Sequence, residues 1–565
     1  MSEAFKKQTS LKSDSQWRQH LFTLHSLLFI DSSWLILLLA LALRLWALDV
    51  KPPHFDEGIN GWFADQVRER GFYAYDPTNY HGPLYFYLLF VVQTLFGRSL
   101  WVLRMPSVIA SVATVWLALR FDRFLGKSAA RWGASILAVS PAMIFYGRYA
   151  IHESWVVASL MIVMLGLFGL WSCGERRSLF ITVIGITLLL LLKETAVIHL
   201  VAFVLAAGCL YLWQKIIPST SQRGQFRYSD ILGSDSTLYE VAPKYRYNGT
   251  DPFAAKQLWS WRDFFWSLLI AFAVLFFFYS GGLLNVSGFY NLFRTLPAWI
   301  HTGTGSGGHV KEEYQWWWLN YYWLALMVRY EIPSLLGMGF ALWSLWRGSA
   351  VARYLAIYAL GVFVAYSIIP YKTPWCLISI LWPFALLFGI FISQLPWKKS
   401  ATLAGALLLA FSLCLALRLN YWHYADFEEP YVYVQTSPEI SRLTEPMLTL
   451  ACRDPRNYQL TGQILLESYY PLPWIWGDFT SISYFGKERA PKNYDGAVIV
   501  IEVSRCKQVE ERLREPYYRE EFELRDAMEK CVAYFKKKTF QPFFEDPHVR
   551  EKKLPVKEIL SEEKN

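Results

Sequence analysis

Two adjacent carboxylates, Asp56 and Glu57, follow the first long apolar run of the sequence, within residues 52–58. Charge so close to an apolar run is costly unless it is paired or used. One interpretation is a helix start, with Asp56 as the cap and Glu57 in the first turn. The other is a carboxylate that takes a proton from a hydroxyl group or holds a divalent metal ion. The two roles are compatible, so Asp56 and Glu57 are the predicted catalytic residues.

Isolated cations lie at three later breaks between apolar runs, and two of these breaks also carry carboxylates. The residues are Arg148 with Glu153, Lys193 with Glu194, and Lys372 between Pro370 and Pro374. Displacing a phosphate leaving group needs a base for the incoming hydroxyl and positive charge for the departing anion. We therefore predict that Arg148, Lys193 and Lys372 bind a phosphate, although Arg148 and Glu153 could instead pair with each other.

Six of the ten histidines fall in loops that the charge pattern described below places on one face of a membrane: His54, His81, His152, His301, His309 and His423. Histidine is a common catalytic and metal-binding residue, although loops of any kind are rich in polar residues. We assign His54, His81, His152 and Glu153 to positioning of an acceptor or of a metal ion. If a metal such as Mg²⁺ or Mn²⁺ takes part, His152 and Glu153 are its predicted ligands.

Two further segments of the loops bear on a substrate site. Gly82-Pro83 predicts a turn that leads into the short aromatic segment 84–97. That segment is expected to lie in the membrane interface and frame a groove for a lipid chain, or else to form a structural re-entrant turn. The glycine-rich residues 303–308 lack the Lys-Ser/Thr ending of a P-loop, which argues against a nucleotide site. They predict a loop that closes over substrate, or a plain connector.

The hydropathy pattern predicts a polytopic helical membrane protein. Hydrophobic residues make up 54% of the chain and charged residues only 18%, against about a quarter in soluble proteins. A membrane-spanning helix needs about 20 apolar residues, and eleven segments approach this length. They are 33–50, 100–121, 131–147, 154–172, 179–192, 195–213, 263–284, 321–346, 353–369, 376–394 and 401–419.

The distribution of Lys and Arg predicts the orientation. Basic residues gather in the N-terminal tail and in the loops at 120–131, 176–177, 214–262, 347–353 and 398–399. Cytoplasmic loops carry this excess, so the N-terminus is expected in the cytoplasm and the C-terminal part outside the inner membrane. The tail before the first span shows no cleavable signal peptide. The predicted domains are a tail (1–32), a membrane domain (33–419, with outer loops 51–99 and 285–320 and the cytoplasmic loop 214–262), an α/β domain (420–545) and a charged tail (546–565).

The C-terminal part changes character. Strand-like runs at 431–435 and 497–502 and a charged helical pattern at 507–533 predict a small α/β domain, followed by a disordered tail. The seven cysteines form no C-x-x-C pair, which argues against zinc. Cys452, Cys506 and Cys531 could form one disulfide or all be free. The net charge of +9 is explained by the cytoplasmic loops, and without a basic stripe we expect no nucleic-acid partner.

The order of these motifs resembles the GT-C membrane glycosyltransferases, which include protein O-mannosyltransferases and lipid A aminoarabinose transferase. The motifs are Asp56-Glu57, Gly82–Tyr85, Phe96-Gly97 with Leu103–Pro106, Tyr146–Arg148 and Lys193–Thr195. Tyr80–Pro83 and Tyr371–Trp375 look like the flippase-activity-associated branch, and Tyr469–Trp474 is similar to a segment in outer domains of related transferases. The resemblance covers roughly residues 30–400. The glycine-rich loop and the insertion at 214–262 have no counterpart in it.

The resemblance implies a sugar moved, with inversion, from a polyprenyl-phosphate donor to a hydroxyl of a glycan, lipid or protein acceptor. Asp56 would be the general base, supported by Glu57, and Glu153 the second acidic residue. Arg148, Lys193 and Lys372 would hold the donor phosphate. Some members of the superfamily use a divalent metal and others do not. The alternatives are a non-catalytic partner of a lipid-linked glycan flippase or ligase, or a transporter, which would need charges near the centres of the spans.

Overall fold

The computed structural model describes residues 32–79, 81–216, 257–304, 315–316, 319–486, 489–525, 530–546 and 557–559. The predicted N-terminal tail, Tyr80, most of the loop 214–262 and much of the glycine-rich loop lie outside the described residues.

The apolar segments fold as helices packed around one large apolar core. In chain order the helices are α1 Ser32–Leu45, α2 Phe55–Arg70, α3 Leu84–Phe96, α4 Leu100–Leu119, α5 Asp122–Leu125, α6 Lys127–Val139, α7 Pro141–Gly147, α8 Glu153–Cys173, α9 Arg176–Leu192, α10 Ala196–Ile216, α11 Trp261–Tyr279, α12 Val286–Thr304, α13 Tyr322–Tyr330, α14 Ile332–Arg347, α15 Ala350–Ile368, α16 Leu377–Gln394 and α17 Lys398–Leu417. Within the described residues, seven helices are long and apolar enough to cross a membrane.

All eleven predicted spans are helical, but four of them coincide with helices shorter than those seven. These four are α1, α6, α9 and α14. The total number of crossings therefore stays a prediction. The first span is shorter than expected, because α1 ends at Leu45 and residues 46–50 form turns.

Two predicted spans are broken rather than continuous. The segment 131–147 divides between α6 and α7, and 321–346 divides at Glu331 between α13 and α14. The breaks stabilise each other, because the Glu331 carboxylate accepts hydrogen bonds from the Ala142 amide and the Ser140 hydroxyl, each at 2.8 Å. The first amide groups of a helix have no acceptor within the helix, so an acceptor from another part of the chain stabilises the helix start.

The short aromatic segment 84–97 forms α3, which has 13 residues. At about 1.5 Å per residue its length is about 20 Å, too short for a hydrocarbon core of about 30 Å. One face, with Tyr85, Phe86 and Leu89, is buried against the protein, whereas Leu95 and Phe96 are exposed. This geometry favours the interfacial position that the sequence predicts.

The C-terminal part forms a mixed six-stranded sheet. Its strands are β3 Gly462–Leu465, β4 Ile482–Tyr484, β5 Val498–Glu502, β6 Tyr517–Glu523, β7 Lys530–Lys536 and β8 Lys557–Ile559, in the order β4-β3-β5-β7-β6-β8. β3 pairs in parallel with β4 and β5, and the remaining pairs are antiparallel. A separate pair of short strands, β1 Gln315–Trp316 and β2 Leu319–Asn320, lies between α12 and α13. Helices α18 Ser441–Arg453, α19 Leu472–Ile475, α20 Cys506–Glu510 and α21 Lys537–Phe544 complete the C-terminal domain.

Several expectations for this domain are corrected. The charged stretch 507–533 is not one helix, since α20 ends at Glu510 and β6 and the start of β7 follow within it. In β6, Tyr518, Glu520 and Phe522 alternate along the strand and are buried. Residues 431–435 are not a strand. The expectation of a disordered tail is wrong for Lys557–Ile559, which pairs with β6. All seven cysteines are free, so the possible disulfide among Cys452, Cys506 and Cys531 is not formed.

Candidate active site

Helix α2 begins beside the carboxylates that the sequence singles out, but its cap is His54 rather than Asp56. The Nδ1 atom of His54 accepts a hydrogen bond from the Asp56 amide at 3.0 Å. The Asp56 carboxylate is therefore not used in capping, and 32% of its side chain stays accessible. It lines a cavity of about 480 Å³ rather than bulk water. This burial raises the pKa of Asp56, while His54, His81 and Lys193 oppose the rise.

Glu57, one residue further on, has the opposite environment. Its fully buried carboxylate accepts hydrogen bonds from Arg104 at 2.7 and 2.8 Å and from the backbone amides of His54 and Ala150. Burial alone would raise the pKa of Glu57, but the Arg104 charge and these bonds lower it. Glu57 does not line the cavity. It anchors the start of α2 to α4 and to the loop that follows α7.

The cavity lies between the helical domain, α12 and the C-terminal domain. Aromatic rings line much of it, namely Phe55, Trp299, Trp323, Tyr366, Tyr371, Trp375 and Tyr433. The titratable side chains in its wall are Asp56, His81, His152, Glu153, Lys193, Glu194, Tyr366, Tyr371, Cys376, Tyr433 and Arg525.

Opposite charges are paired in one wall of the cavity. Lys193, at the junction of α9 and α10, donates a short hydrogen bond to Glu153 at the start of α8, and both side chains are buried. Burial alone would lower the pKa of Lys193, but Glu153 more than offsets this and raises it. Beside this pair, His81 Nδ1 lies 3.0 Å from Glu194 Oε2. We call these four residues the ion-pair wall.

Gly82 brings the first outer loop against the ion-pair wall. Its amide donates to the Leu192 carbonyl at 3.0 Å. A Cβ atom at position 82 would lie only 2.1 Å from the Leu191 carbonyl oxygen, so only glycine allows this approach. The Gly82-Pro83 pair thus places His81 next to Glu194.

His152 adds a polar atom without a partner. Its side chain is buried, and its Nε2 atom makes no hydrogen bond. The rings of Tyr85 and His81 lie 4.6 and 4.8 Å from the imidazole, centre to centre. Burial lowers the pKa of His152 well below its ordinary value, with His81 and Lys193 adding to the effect, so the ring is neutral.

Three predicted site residues are turned away from the cavity. Arg148 is buried and donates to backbone carbonyls at the end of α1, including those of Trp46 and Ala47. Lys372 donates to the Ser367 and Ile369 carbonyls at the end of α15. The second nitrogen of His54, Nε2, bonds to the Tyr433 carbonyl at 2.7 Å. None of the three lines the cavity, and the polar atoms named here are bonded to backbone carbonyls.

The C-terminal domain supplies part of the cavity wall, which sequence reasoning missed. Ser468 and Arg525 line it, and Arg525 donates to the Ser468 and Tyr470 carbonyls at 2.9 and 2.8 Å. The similarity of Tyr469–Trp474 to outer domains was the available signal. This segment docks on α2, where a Cβ atom at position 61 would lie 2.3 Å from the Trp474 ring. No sequence pattern pointed to Arg525.

The donor set does not fit the predicted option of a metal held by His152 and Glu153. Within the described residues, no group of three or more His, Cys, Asp or Glu side chains is arranged to hold a metal ion. Mg²⁺ and Mn²⁺ prefer oxygen ligands. Glu153 Oε1 is bonded to Lys193, and Glu194 Oε2 is bonded to His81.

Comparison with known proteins agrees with this architecture. A sequence model of the family described as dolichyl-phosphate-mannose-protein mannosyltransferase matches residues 80–220. None of the curated proteins compared with the chain matches it in sequence. Among solved structures, ArnT from Cupriavidus metallidurans bound to undecaprenyl phosphate has a TM-score of 0.57 at 13% identity, over 89% of this chain and 98% of ArnT. The apo state of ArnT gives 0.53 at 12% identity, over 91% and 98% of the two chains.

The chain has the fold of ArnT. The predicted GT-C-like fold class is thereby confirmed, while membership of the superfamily and of its narrower flippase-activity-associated branch stays a prediction. The segment that matches the mannosyltransferase family contains His152 and all four residues of the ion-pair wall, namely His81, Glu153, Lys193 and Glu194. Asp56 lies before that segment in the sequence, in the first turn of α2. The GT-C fold brings the two parts to one cavity.

Proposed function

We propose that the chain is an inverting glycosyltransferase that moves a sugar from a polyprenyl-phosphate donor to an acceptor hydroxyl at the outer face of the inner membrane. One observation carries the proposal: the Asp56 carboxylate and the ion-pair wall, which contains Lys193, share one cavity in a GT-C fold. The structure of ArnT with undecaprenyl phosphate supports a lipid-linked donor.

Asp56 is the proposed general base. It takes the proton of the acceptor hydroxyl while the acceptor oxygen forms a bond to the anomeric carbon of the sugar. The bond from that carbon to the phosphate oxygen breaks, and the polyprenyl phosphate leaves with the electron pair. A single displacement of this kind inverts the anomeric centre. A positioned general base contributes typically 10²–10⁴-fold to the rate.

Lys193 and His152 are the proposed groups for the departing phosphate. Lys193 is cationic because Glu153 raises its pKa. His152 is neutral and has an unpartnered buried nitrogen that can donate a hydrogen bond. Fixed donors of this kind stabilise charge that develops in the transition state without reorganising. Glu153 and Glu194 hold Lys193 and His81 in place, and the cavity rings present apolar faces on which a sugar can pack.

The orientation is part of the proposal. The N-terminus lies in the cytoplasm, and the cavity and the C-terminal domain lie outside, as the Lys and Arg distribution indicates. Cysteine substitutions at 49 and 399, each made in a chain whose seven native cysteines, all free, are replaced by serine, are labelled with a membrane-impermeant maleimide in intact spheroplasts to test this. Position 49 should react and position 399 should not. Reaction at 399 alone would overturn the outer-face location.

The activity is tested with Asp56→Asn in the full chain, with Asp49→Asn as the matched control because Asp49 is exposed and outside the cavity. Mass spectrometry of surface glycans and lipid-linked intermediates compares cells that carry each variant. We expect Asp56→Asn to lose at least 10²-fold of the product and to accumulate the lipid-linked donor, while Asp49→Asn resembles wild type. A non-catalytic partner would tolerate Asp56→Asn at wild-type expression, and that result would overturn the proposal.

A further inference from the structure

The segment Tyr431–Thr436, which we call the strap, joins the helical domain to the C-terminal domain across the cavity. Tyr433 and Val434 line the cavity. The strap is tied on both sides of them. The Tyr146 hydroxyl donates to the Tyr431 carbonyl at 3.1 Å, and the Gln435 amide nitrogen donates to the Pro52 carbonyl at 3.1 Å. The strap is therefore held between α7 and the first outer loop.

The strap contains a backbone conformation that its sequence disfavours. Val434 has a φ of 51°, in the left-handed region. A β-branched residue rarely adopts this region, because its side chain crowds the backbone. Such strained residues persist where the surroundings fix them, and they concentrate at functional sites. The strain at Val434 lies directly in the cavity wall, next to the residue whose carbonyl contacts His54.

His54 links the strap to the proposed base. Its Nδ1 atom accepts the hydrogen bond from the Asp56 amide, so in the neutral ring the proton is on Nε2. That Nε2–H donates to the Tyr433 carbonyl at 2.7 Å. The imidazole is fully buried between the rings of Tyr149 and Trp375. One side chain thus connects a carbonyl of the strap to the backbone of Asp56.

We propose that the strap and His54 are positioning elements of the active site, through which the C-terminal domain fixes Asp56 at its place opposite the ion-pair wall. The inference rests on the proposed function. Capping alone needs only the Nδ1 contact, whereas positioning by the strap needs both contacts of the ring. Misplacement of a reacting group by about 1 Å can cost on the order of 10²-fold in rate, so loss of the strap contact should lower kcat more than it changes donor binding.

The variants His54→Asn and His54→Ala separate the two contacts. Asparagine is among the best N-cap residues, so His54→Asn keeps a cap for α2. Its short side chain ends before the Tyr433 carbonyl, so the contact with the strap is lost. His54→Ala loses both. The assay uses membranes that contain the full chain and a panel of undecaprenyl-phosphate monosaccharides, and it measures undecaprenyl phosphate released as donor concentration varies.

We expect His54→Asn to melt within a few degrees of wild type and yet to lose about tenfold in kcat, as His54→Ala does, with KM for the donor within about twofold. A His54→Asn enzyme with wild-type kcat would show that the cap alone matters and would overturn the positioning role. A loss expressed mainly in KM would overturn it as well.

A second pair of variants tests the shape of the strap. Glycine adopts a φ of 51° without strain, whereas proline is fixed near −65°. We expect Val434→Gly to keep most of the wild-type kcat and Val434→Pro to fall to the level of His54→Asn. Equal activity of the two variants would overturn the requirement for this backbone shape.

Asp56→Asn in the same membranes distinguishes the two proposals. If wild type releases no more undecaprenyl phosphate than Asp56→Asn, the proposed function fails and the positioning role fails with it. If wild type is active, Asp56→Asn is inactive and His54→Asn equals wild type, only the role of the strap is overturned.

Discussion

The junction at Lys193 and the turn at Lys372 look alike in sequence and differ in structure. Each places one lysine between two apolar runs, with a threonine one or two residues further on. At the first, the lysine faces the cavity and pairs with Glu153 on a neighbouring helix. At the second, the ammonium group turns back to the last carbonyls of its own helix, at Ser367 and Ile369.

The difference follows from what each lysine can reach. A lysine near a helix C-terminus has a ready partner in the unsatisfied carbonyls of the last turn. The lysine gives up these carbonyls only where a stronger partner is within reach. A buried carboxylate such as Glu153 is such a partner. A cation at a helix junction therefore becomes a site residue through its tertiary neighbours. Asp56 and Glu57 teach the same lesson, since Arg104 engages one carboxylate and leaves the other to the cavity.

Among the variants that test this comparison, Lys193→Met is expected to lose the most activity and stability. The variant removes positive charge from the cavity, which we expect to cost on the order of 10²–10³-fold in transfer. It also leaves Glu153 buried and unpaired, which destabilises by roughly 3–5 kcal/mol. Thermal unfolding and undecaprenyl phosphate release measure the two effects in the same preparation.

The double variant Lys193→Met with Glu153→Gln separates charge from folding. It removes both members of the ion pair, so its melting temperature should recover most of the loss. Its activity should stay low, because the charge is still absent. Recovery of activity together with stability would show that Lys193 serves only to neutralise Glu153.

A second large effect is expected from Glu57→Gln, with Asp56→Asn as its matched neighbour. Glu57→Gln leaves Arg104 fully buried without a counter-charge, a change that typically costs roughly 3–5 kcal/mol. Asp56→Asn should cost under about 1 kcal/mol, because the carboxylate already gains little from its surroundings, as its raised pKa indicates. Chemical or thermal unfolding compares them. Equal losses in the two variants would contradict the division of roles.

Hydropathy and spacing predicted the helices and several of the titratable residues that line the cavity. The apolar runs fix where helices form, and polar residues at their ends are few, so Asp56, His81, His152, Glu153 and Lys193 could be named from the sequence. The breaks at Ser140 and Glu331 could not, because the contact between them, in which Glu331 accepts from the Ser140 hydroxyl and the Ala142 amide, joins residues far apart in sequence. The Tyr431–Gln435 alternation predicted a strand, yet this segment is bonded to side chains and not to another strand. The partners are His54, which caps α2, Tyr146 in α7 and Tyr149 in the loop that follows α7.

The C-terminal domain was harder to predict because its charges mislead. The charged pattern at 507–533 predicted a helix, whereas β6 buries alternate residues from Tyr518 to Phe522 and β7 buries Cys531 to Phe535 without interruption. The contribution of Arg525 to the cavity depends on how the two domains dock. That docking rests on contacts far apart in sequence, such as Trp474 Nε1 donating to Gln93 at 3.0 Å. No local pattern encodes it.

The smallest loss of activity is expected for Lys372→Met. This variant tests the inference that Lys372, unlike Lys193, is not part of the site. Removing an ammonium group that only caps carbonyls should leave donor binding and kcat within about threefold of wild type, an expectation that follows from its lack of contact with the cavity. Native mass spectrometry with undecaprenyl phosphate measures the binding. A loss of affinity as large as that of Lys193→Met would return Lys372 to the site.

The pH dependence of stability gives Lys372 a signature of its own. Burial lowers the pKa of Lys372 from 10.5 to about 8. Between these values the folded state binds fewer protons at this position than the unfolded state, so this group makes the protein more stable as pH rises. Below about pH 8 both states are protonated and the contribution is constant. Wild type should therefore gain stability relative to Lys372→Met between pH 8 and 10, measured by thermal unfolding of the two in parallel. Parallel curves would mean that the ammonium group is as well solvated in the fold as out of it, contrary to its burial at the end of α15.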